Sequence, residues 1–353
     1  MMVSPIQPQD LVIHVLNVGF GDNILIEFPV DSAGQRSYGL VDCYNSVKTM
    51  RYLKKLMEIR PGRSQLRFLC ATHPHLDHIR GINPFLKSDK YRPAEFWDSG
   101  FRHNSSTYHD ILERLLMERI KVVRVSSGME WYFGRVQITA LAPSVLLRNR
   151  YATHGVDINN SSVVLRLEHR REDMLLIRSR EYEGSVSLED EREAGRSVVI
   201  LAADAEFDSW AQIAYEFPRL ERTDDHDPLV KRLVNHLNCS VVKVAHHGSM
   251  HSTPLNVYAK MTPEVAIVST KQKVSTKTID GEEWERGLFP HESAILALWE
   301  CGAQIVTTDD SCESDLGPAH PGTIVVVVPP GGNPRCTKLY DGRGDVDPPP
   351  TDV

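Results

Sequence analysis

The sequence predicts an α/β protein in which β-sheets are covered by helices within a single domain. Apolar, β-branched runs that end at turn residues recur along the chain and indicate strands. Segments with apolar residues at helical spacing lie between these runs in both halves. No internal repeat and no clear linker divides them. We therefore predict one domain over residues 1–335, followed by an acidic, Pro-rich and disordered tail at 336–353.

The N-terminal elements are predicted from their apolar patterns. Residues 11–18 and 23–28 are β-branched, apolar runs on either side of the turn Gly19–Asp22, and a third short strand ends at Asp42. Residues 47–59 carry apolar side chains at helical spacing and predict the first helix.

The same patterns predict the later elements. Strands are expected at 66–72, 161–167, 197–204 and 240–245, and helices at 107–119, near 209–216 and at 229–237. A stretch dense in mixed charge lies near 168–196. This insertion is predicted to be a solvated hairpin or loop, or alternatively an arginine-bearing arm over a site or a protein partner.

Composition limits the classes of partner. The 353 residues carry 40 basic and 47 acidic side chains, a net charge of −7. This balance argues against a nucleic-acid binder that relies on a broad basic surface. It does not exclude an enzyme that binds a phosphate-containing substrate through metal ions and a few arginines. Candidate arginines are Arg170, Arg171, Arg178 and Arg180.

Cysteine usage and apolar runs predict the compartment. The six cysteines are scattered without a CxxC pair, which is typical of reduced thiols in the cytosol. The N-terminus has no signal-peptide pattern, and runs such as 324–330 are too short to span a bilayer. We therefore expect a cytoplasmic protein without a membrane partner.

The segment HPHLDH places four metal-binding side chains in six positions after an apolar run. In extended backbone, His73 and His75 project to the same side, because residues two apart share a face. Asp77 and His78 follow as the chain turns towards a helix. Imidazole and carboxylate groups at this spacing are suitable ligands for zinc, manganese or iron. A single site needs only three or four protein ligands, so a second metal is expected if other ligands converge.

Further ligand types stand at the ends of two other apolar strands. Asp204 ends VVILAAD, and His246 and His247 follow VVKVA. Strand ends lie at the rim of a sheet, where sites are commonly assembled. A bridging carboxylate and one more histidine would complete a dinuclear centre.

HPHLDH resembles the HxHxDH signature of the metallo-β-lactamase fold, an αβ/βα sandwich of two mixed β-sheets flanked by helices. Further segments, in order from about residue 11 to 328, resemble the soluble relatives of the ComEC/Rec2-like hydrolase domain. These segments are LNVGFGDNILIEFP, LVDCY, THPHLDHIRG, NNSSVVLRL, ILAAD, KVAHHGSMHS and PHESAILALWECGAQIVTTD. The turn LNVGFGD departs from the group's LDVGQGD, and AAD replaces its TGD.

The resemblance implies a site with two divalent metal ions, zinc or manganese. His73 and His75 would hold the first metal, and Asp77 and His78 the second. Asp204 would bridge the two.

The remaining ligand of the second metal would be His246 or His247; we favour His246, although the sequence does not decide between neighbours. Asp42 would orient the ligands from behind. Asn159 and Asn160 stand where many relatives of the fold have a histidine, which leaves the third ligand of the first metal open.

The candidate catalytic residues are Asp77, His247 and His291. The histidine of the pair that does not bind metal, or alternatively His291, would protonate the leaving group. His291 is equally suited to starting a helix. Ser249 is a candidate substrate contact, or alternatively a cap of the following turn.

The leading functional prediction is a metal-dependent phosphodiesterase or nuclease. Two metals would lower the pKa of a bound water, supply hydroxide at neutral pH and neutralise transition-state charge. The ComEC-like group is associated with nuclease activity, but its membrane channel is missing here. The alternatives are a hydrolase of a small substrate, such as a phosphoesterase, and a partner-binding regulatory subunit on the same scaffold.

Overall fold

The computed structural model of the chain describes most of the sequence. The described residues are 5–60, 64–101, 103–147, 157–171, 196–222, 231–235, 237–271, 276–279, 282–285, 289–309, 320–341 and 346–350.

Two mixed β-sheets form the centre of the molecule. The first has eight strands in the order β19-β18-β1-β2-β3-β4-β5-β6, and the second has seven in the order β17-β14-β13-β10-β9-β8-β7. In the first sheet, β3 to β6 run parallel and the other neighbours are antiparallel. In the second sheet, β10, β13, β14 and β17 run parallel. The predicted architecture of two mixed sheets is therefore confirmed.

The two sheets contain the following strands. The first sheet contains β1 Leu11–Val15, β2 Ile24–Glu27, β3 Arg36–Val41, β4 Ser64–Ala71, β5 Glu95–Asp98, β6 Lys121–Arg124, β18 Gly322–Val328 and β19 Arg335–Tyr340. The second contains β7 Glu130–Phe133, β8 Val136–Ala142, β9 Val164–Arg170, β10 Arg196–Leu201, β13 Val241–Lys243, β14 Val265–Val268 and β17 Gln304–Thr307. Two separate hairpins are formed by β11 Pro218–Arg222 with β12 Lys231–Asn235 and by β15 Thr276–Ile279 with β16 Glu282–Glu285.

Helices cover the outer faces of both sheets. They are α1 Ser46–Ile59, α2 Leu76–Ile79, α3 Ile82–Leu86, α4 Ser106–Met117, α5 Phe207–Glu216, α6 Leu255–Met261 and α7 Glu292–Glu300. Leu53 of α1 and Ile111 of α4 join a buried cluster with the first sheet, and Trp210 of α5 and Leu298 of α7 join one with the second. Within the described residues, no helix is long and apolar enough to cross a bilayer.

The largest apolar core lies between the two sheets. Leu11, Ile13 and Val15 alternate along β1 into this core, where they meet residues such as Leu165 and Val199 of the second sheet. This period of two is the expected pattern for a strand with one face on each layer. The rigid sandwich fixes the strand ends at which the polar residues lie.

Two sequence predictions need correction. Residues 231–235 form the strand β12 and not a helix, since they pair with β11 in a hairpin. The mixed-charge insertion predicted near 168–196 lies between β9, which continues to Arg170, and β10, which begins at Arg196. Its interior, including Arg178 and Arg180, lies outside the described residues.

The tail predicted to be disordered is also partly built into the fold. Cys336–Tyr340 pairs with β18 at the edge of the first sheet. Further along, the carbonyl oxygen of Pro349 accepts a hydrogen bond of 2.8 Å from Arg60, and Val346 is buried. Backbone pairing and these contacts order segments whose composition alone indicates disorder.

Candidate metal centre

The polar ends of several parallel strands meet at one edge of the sandwich. The loop after β4 carries the HPHLDH segment, Asp204 follows β10, and His246 and His247 follow β13. In open sheets with parallel strands, sites form outside the carboxyl ends of those strands. The topology therefore brings side chains from segments far apart in sequence together in one cluster.

Asp77, His78, Asp204 and His247 form one group of potential ligands. Their ligand atoms all lie within 4.8 Å of one another. His78 Nε2 lies 3.2 Å from Asp204 Oδ2, and His247 Nε2 lies 3.4 Å from Asp77 Oδ2. Two carboxylates and two imidazoles at this separation can surround one divalent cation.

A second group shares the carboxylate of Asp204. It consists of His73, His75 and Asp204. His73 Nε2 lies 3.6 Å from Asp204 Oδ2 and 3.1 Å from His75 Nδ1. Asp204 therefore stands between the two groups, where a carboxylate could bridge two metals.

Asp42 holds His78 from behind. His78 Nδ1 lies 2.7 Å from Asp42 Oδ2, and the backbone N–H and hydroxyl of Thr72 both donate to the same carboxylate. An imidazole that donates its Nδ1 proton to a carboxylate presents Nε2 as an acceptor, which is the usual arrangement behind a metal-bound histidine. This contact with Asp42 orients the His78 ring so that its Nε2 faces Asp204.

His247, rather than the favoured His246, points into the four-residue group. Its Nδ1 lies 2.6 Å from the carbonyl oxygen of Ser269, which fixes the proton on Nδ1 and leaves Nε2 facing Asp77. His246 instead places Nδ1 3.1 Å from Glu206 Oε1, with Nε2 3.8 Å from Asp204 Oδ2. Backbone conformation separates the two side chains, a feature that the sequence does not show.

The loop backbone around the site is strained. Four residues there have positive φ angles: Asp42 at 57°, Ala203 at 48°, His246 at 46° and His247 at 53°. Left-handed backbone costs a non-glycine residue about 1–2 kcal/mol. Such strain persists where the surrounding structure imposes it and is concentrated at functional sites.

A buried ion pair lies beneath the cluster, and it was missed from the sequence. Lys243 Nζ lies 3.0 Å from Asp22 Oδ2, and both side chains are fully buried. Asp22 also accepts a hydrogen bond from the hydroxyl of Ser269, the residue whose carbonyl holds His247. The available signal was a lysine inside the apolar strand VVKVA, because a buried charge requires a partner.

Two further residues near the site were also missed. Glu206 links His246 to Asn159, whose side-chain amide donates to it at 3.0 Å. The ring centroid of His103 lies 5.9 Å from that of His75, and its buried Nδ1 has no hydrogen-bond partner within the described ranges. His103 follows β5, the strand beside β4, so the strand-end reasoning could have identified it.

Several predicted site residues have structural contacts. Asn160 accepts a hydrogen bond of 2.9 Å from the Ser209 N–H in the first turn of α5. His291 is the N-cap of α7, since its Nδ1 accepts from the Ser293 N–H at 3.2 Å. Ser249 Oγ accepts from the His251 N–H at 3.3 Å, a local turn contact. None of the three joins the potential ligand groups found among the described residues.

Electrostatics favour a cation at this position. Burial raises the pKa of Asp204, but the neighbouring His78 outweighs burial and holds that pKa well below its usual range. Burial also raises the pKa of Asp77, but the neighbouring His247 and His78 lower that pKa overall. Two ionised carboxylates at a largely buried site attract a cation.

The donor atoms fit divalent metals. His78 Nε2, His247 Nε2 and both carboxylate oxygens of Asp204 are buried, and none has a hydrogen-bond partner in the part of the chain described. A buried polar atom without a partner costs about 1–3 kcal/mol. Imidazole nitrogen and carboxylate oxygen together suit zinc or manganese, whose binding would satisfy all four atoms.

Comparison with known proteins agrees with this architecture. The Metallo-beta-lactamase superfamily matches residues 18–135, a range that contains the HPHLDH segment. The chain has the metallo-β-lactamase fold, with two mixed sheets flanked by helices. No curated protein matches the chain.

The solved structures that match the chain are distant in sequence. The metallo-beta-lactamase fold protein YhfI from Bacillus subtilis is 14% identical with a TM-score of 0.38, covering 73% of this chain and 85% of its own. A mutant of the CmlA beta-hydroxylase is 12% identical with a TM-score of 0.40. That match covers 94% of this chain, which spans about half (54%) of the CmlA chain.

Proposed function

We propose that the chain is a metal-dependent phosphodiesterase with nucleic acid as its substrate. The observation that carries the proposal is the pair of potential ligand groups that share Asp204. Several of their metal-ligating atoms are buried without a hydrogen-bond partner among the described residues. Two metals a few ångströms apart suit phosphodiester cleavage, because they can contact both the attacking and the leaving oxygen. The ComEC-like motifs support nucleic acid as the substrate class.

Zinc or manganese ions, when bound, would supply a nucleophile from water and neutralise charge that develops on the phosphate. Residues of the chain would hold the metal-binding side chains in the required orientation. Asp42 and Ser269 fix the rings of His78 and His247 through their Nδ1 atoms. This holds both Nε2 atoms towards the carboxylates of Asp77 and Asp204.

His246 is the histidine of the pair that remains outside the potential ligand groups. Glu206 accepts the hydrogen bond from its Nδ1, and Nε2 faces the cluster 3.8 Å from Asp204. Nε2 is therefore the atom from which a proton would pass to the leaving oxygen. Asn159 holds Glu206 in place through its side-chain amide.

The test is cleavage of end-labelled single- and double-stranded DNA with manganese or zinc. Asp204→Asn should reduce cleavage at least about 100-fold, because it removes the shared carboxylate charge. Asp110→Asn makes the same substitution at an exposed position on α4 and should cleave like the wild type. Equal cleavage by Asp204→Asn would contradict the assignment of the chemistry to this centre.

A small-substrate phosphoesterase is the second candidate, favoured by the net charge of −7. A metal-loaded wild type that hydrolyses a small phosphodiester but no DNA would establish this function instead. A stable complex with a protein partner that forms without metal would favour the regulatory-subunit alternative.

A further inference from the structure

A row of aromatic rings borders the histidine pair at the candidate metal centre. The ring centroid of Phe20 lies 4.4 Å from that of His247 and 5.5 Å from that of Phe289. Phe289 in turn stacks on His246 at 5.7 Å, with an angle of 28° between the planes. The two phenylalanines therefore form a continuous wall beside both histidines.

Both phenyl rings are partly exposed, unlike the aromatic rings of the core. Phe28 and Phe68 are 1% and 0% exposed between the sheets. Phe20 instead lies at the tip of the turn between β1 and β2, and Phe289 lies just before α7. Partly exposed aromatic faces beside a polar site are typical of surfaces that bind flat, apolar groups.

Two exposed cationic side chains, those of Arg80 and Lys271, lie near the turn that carries Phe20. A Cβ atom built on Gly19 would lie 3.5 Å from Lys271 Cδ, and one on Gly21 would lie 2.7 Å from the Tyr44 ring. The guanidinium of Arg80 lies over that tyrosine ring, 5.7 Å from its centroid. Positive charge near this turn is suited to a chain of phosphates that runs past the two phenylalanines.

We propose that Phe20 and Phe289 form a stacking platform for a nucleobase next to the cleaved phosphodiester, with Arg80 and Lys271 facing adjacent phosphates. The proposal rests on the phosphodiesterase function proposed above and narrows its substrate to single-stranded nucleic acid. Stacking on a protein ring requires a base that has left its duplex stack, and it accepts every base because each has a π-face.

The experiment compares single-stranded oligonucleotides that carry either normal nucleotides or abasic residues beside the cleaved bond. The quantity measured, with manganese present, is the kcat/KM for the normal oligonucleotide divided by the kcat/KM for the abasic one. Phe20→Leu and Phe289→Leu should each lower this ratio about 5- to 100-fold, the usual effect of losing one base–aromatic stack. Phe20→Trp, which keeps an aromatic face, should retain the wild-type ratio.

Tyr215→Ala serves as the control, because it removes an aromatic ring that is 77% exposed on α5. Metal content, measured in each variant, shows whether the centre is intact. Phe289→Leu keeps the test decisive if Phe20→Leu disturbs His247, since Phe289 contacts His246 instead.

The outcomes separate the two proposals. Leucine variants that cleave with an unchanged ratio would overturn the stacking platform and leave the phosphodiesterase function standing. A metal-loaded wild type that cleaves no oligonucleotide would overturn both. Cleavage of duplex DNA in preference to single strands would also contradict the platform.

Discussion

His246 and His247 are neighbours in sequence, yet their side chains have different environments. The ring of His247 is fully buried, and its Nδ1 is held by a backbone carbonyl. The ring of His246 is 20% exposed and paired with Glu206. A buried imidazole fixed through one nitrogen is the arrangement expected of a metal ligand, whereas a partly exposed one can meet substrate.

We expect substitution of the two histidines to have different effects on metal content. His247→Asn should lower the metal-to-protein ratio from two towards one, because it removes a ligand from the group around Asp77 and His78. His246→Asn should retain both metals while cleavage falls. The readout is atomic emission after dialysis; asparagine is used because it tolerates the left-handed backbone at both positions. Equal metal loss in the two variants would contradict this division of roles.

Single residues also show how far the sequence could predict the site. His73, His75, Asp77 and His78 stand in one short segment, so their proximity followed from local geometry. Asp204 and the histidine pair could be added because strand ends converge at a sheet edge. The choice between His246 and His247 depends on two positive φ angles, which no local pattern specifies.

At the scale of elements, the turn that carries the HPHLDH segment packs directly on the loop after β3. Gly81 follows α2, and its N–H donates to the Cys43 carbonyl at 2.7 Å. A Cβ atom at this position would lie 2.6 Å from that carbonyl oxygen and 2.7 Å from the Ser46 nitrogen. Both neighbours are backbone atoms, so a side chain here can be accommodated only if the turn moves.

We therefore expect Gly81→Ala to lower both stability and metal affinity. Overpacking of this kind costs about 1–3 kcal/mol, and the displaced turn includes Asp77 and His78. Urea unfolding and competition with a chelator measure the two effects. Gly34→Ala is the comparison, since its Cβ would meet nothing within 4 Å and its φ of 72° adds only backbone strain. An unchanged metal affinity in Gly81→Ala would show that the turn is not held by this contact.

Elements with strong apolar patterns were predicted well, whereas those decided by pairing were not. The runs that begin at 11 and 23 became β1 and β2, because alternation matched their place between two layers. The predicted helix at 229–237 instead contains β12, whose partner β11 gave no strand signal in the sequence. Tertiary pairing overrides weak local propensity in such segments.

At the scale of the whole molecule, a buried charge cluster joins the described N- and C-terminal segments to the first sheet. Glu27 of β2 contacts Arg36 at 2.6 Å and Arg60 at 2.8 Å. Arg60 also donates to the Pro349 carbonyl, and Pro350 accepts from the Ile6 N–H at 3.2 Å. Glu27 thus neutralises the arginine that holds the C-terminal segment.

Glu27 should make stability depend on pH in a defined direction. Burial raises its pKa, but the hydrogen bond from His14 and the charge of Arg60 outweigh burial and lower the pKa to about 2. Because the folded-state pKa lies below the unfolded value of 4.5, the stabilisation is complete above that pH. It is then lost as the pH falls from there through about 2.

Glu27→Gln should therefore reduce the free energy of unfolding by about 3–5 kcal/mol at pH 7, since it leaves two buried arginines without a countercharge. The difference between variant and wild type should persist down to the unfolded-state pKa and shrink below it, because the wild-type carboxylate then becomes protonated. Urea unfolding at a series of pH values measures this difference. Glu58→Gln, an exposed position on α1 with a partner only at 3.8 Å, provides the matched control. A difference that stayed constant into strong acid would mean that packing at Glu27, and not its charge, stabilises the fold.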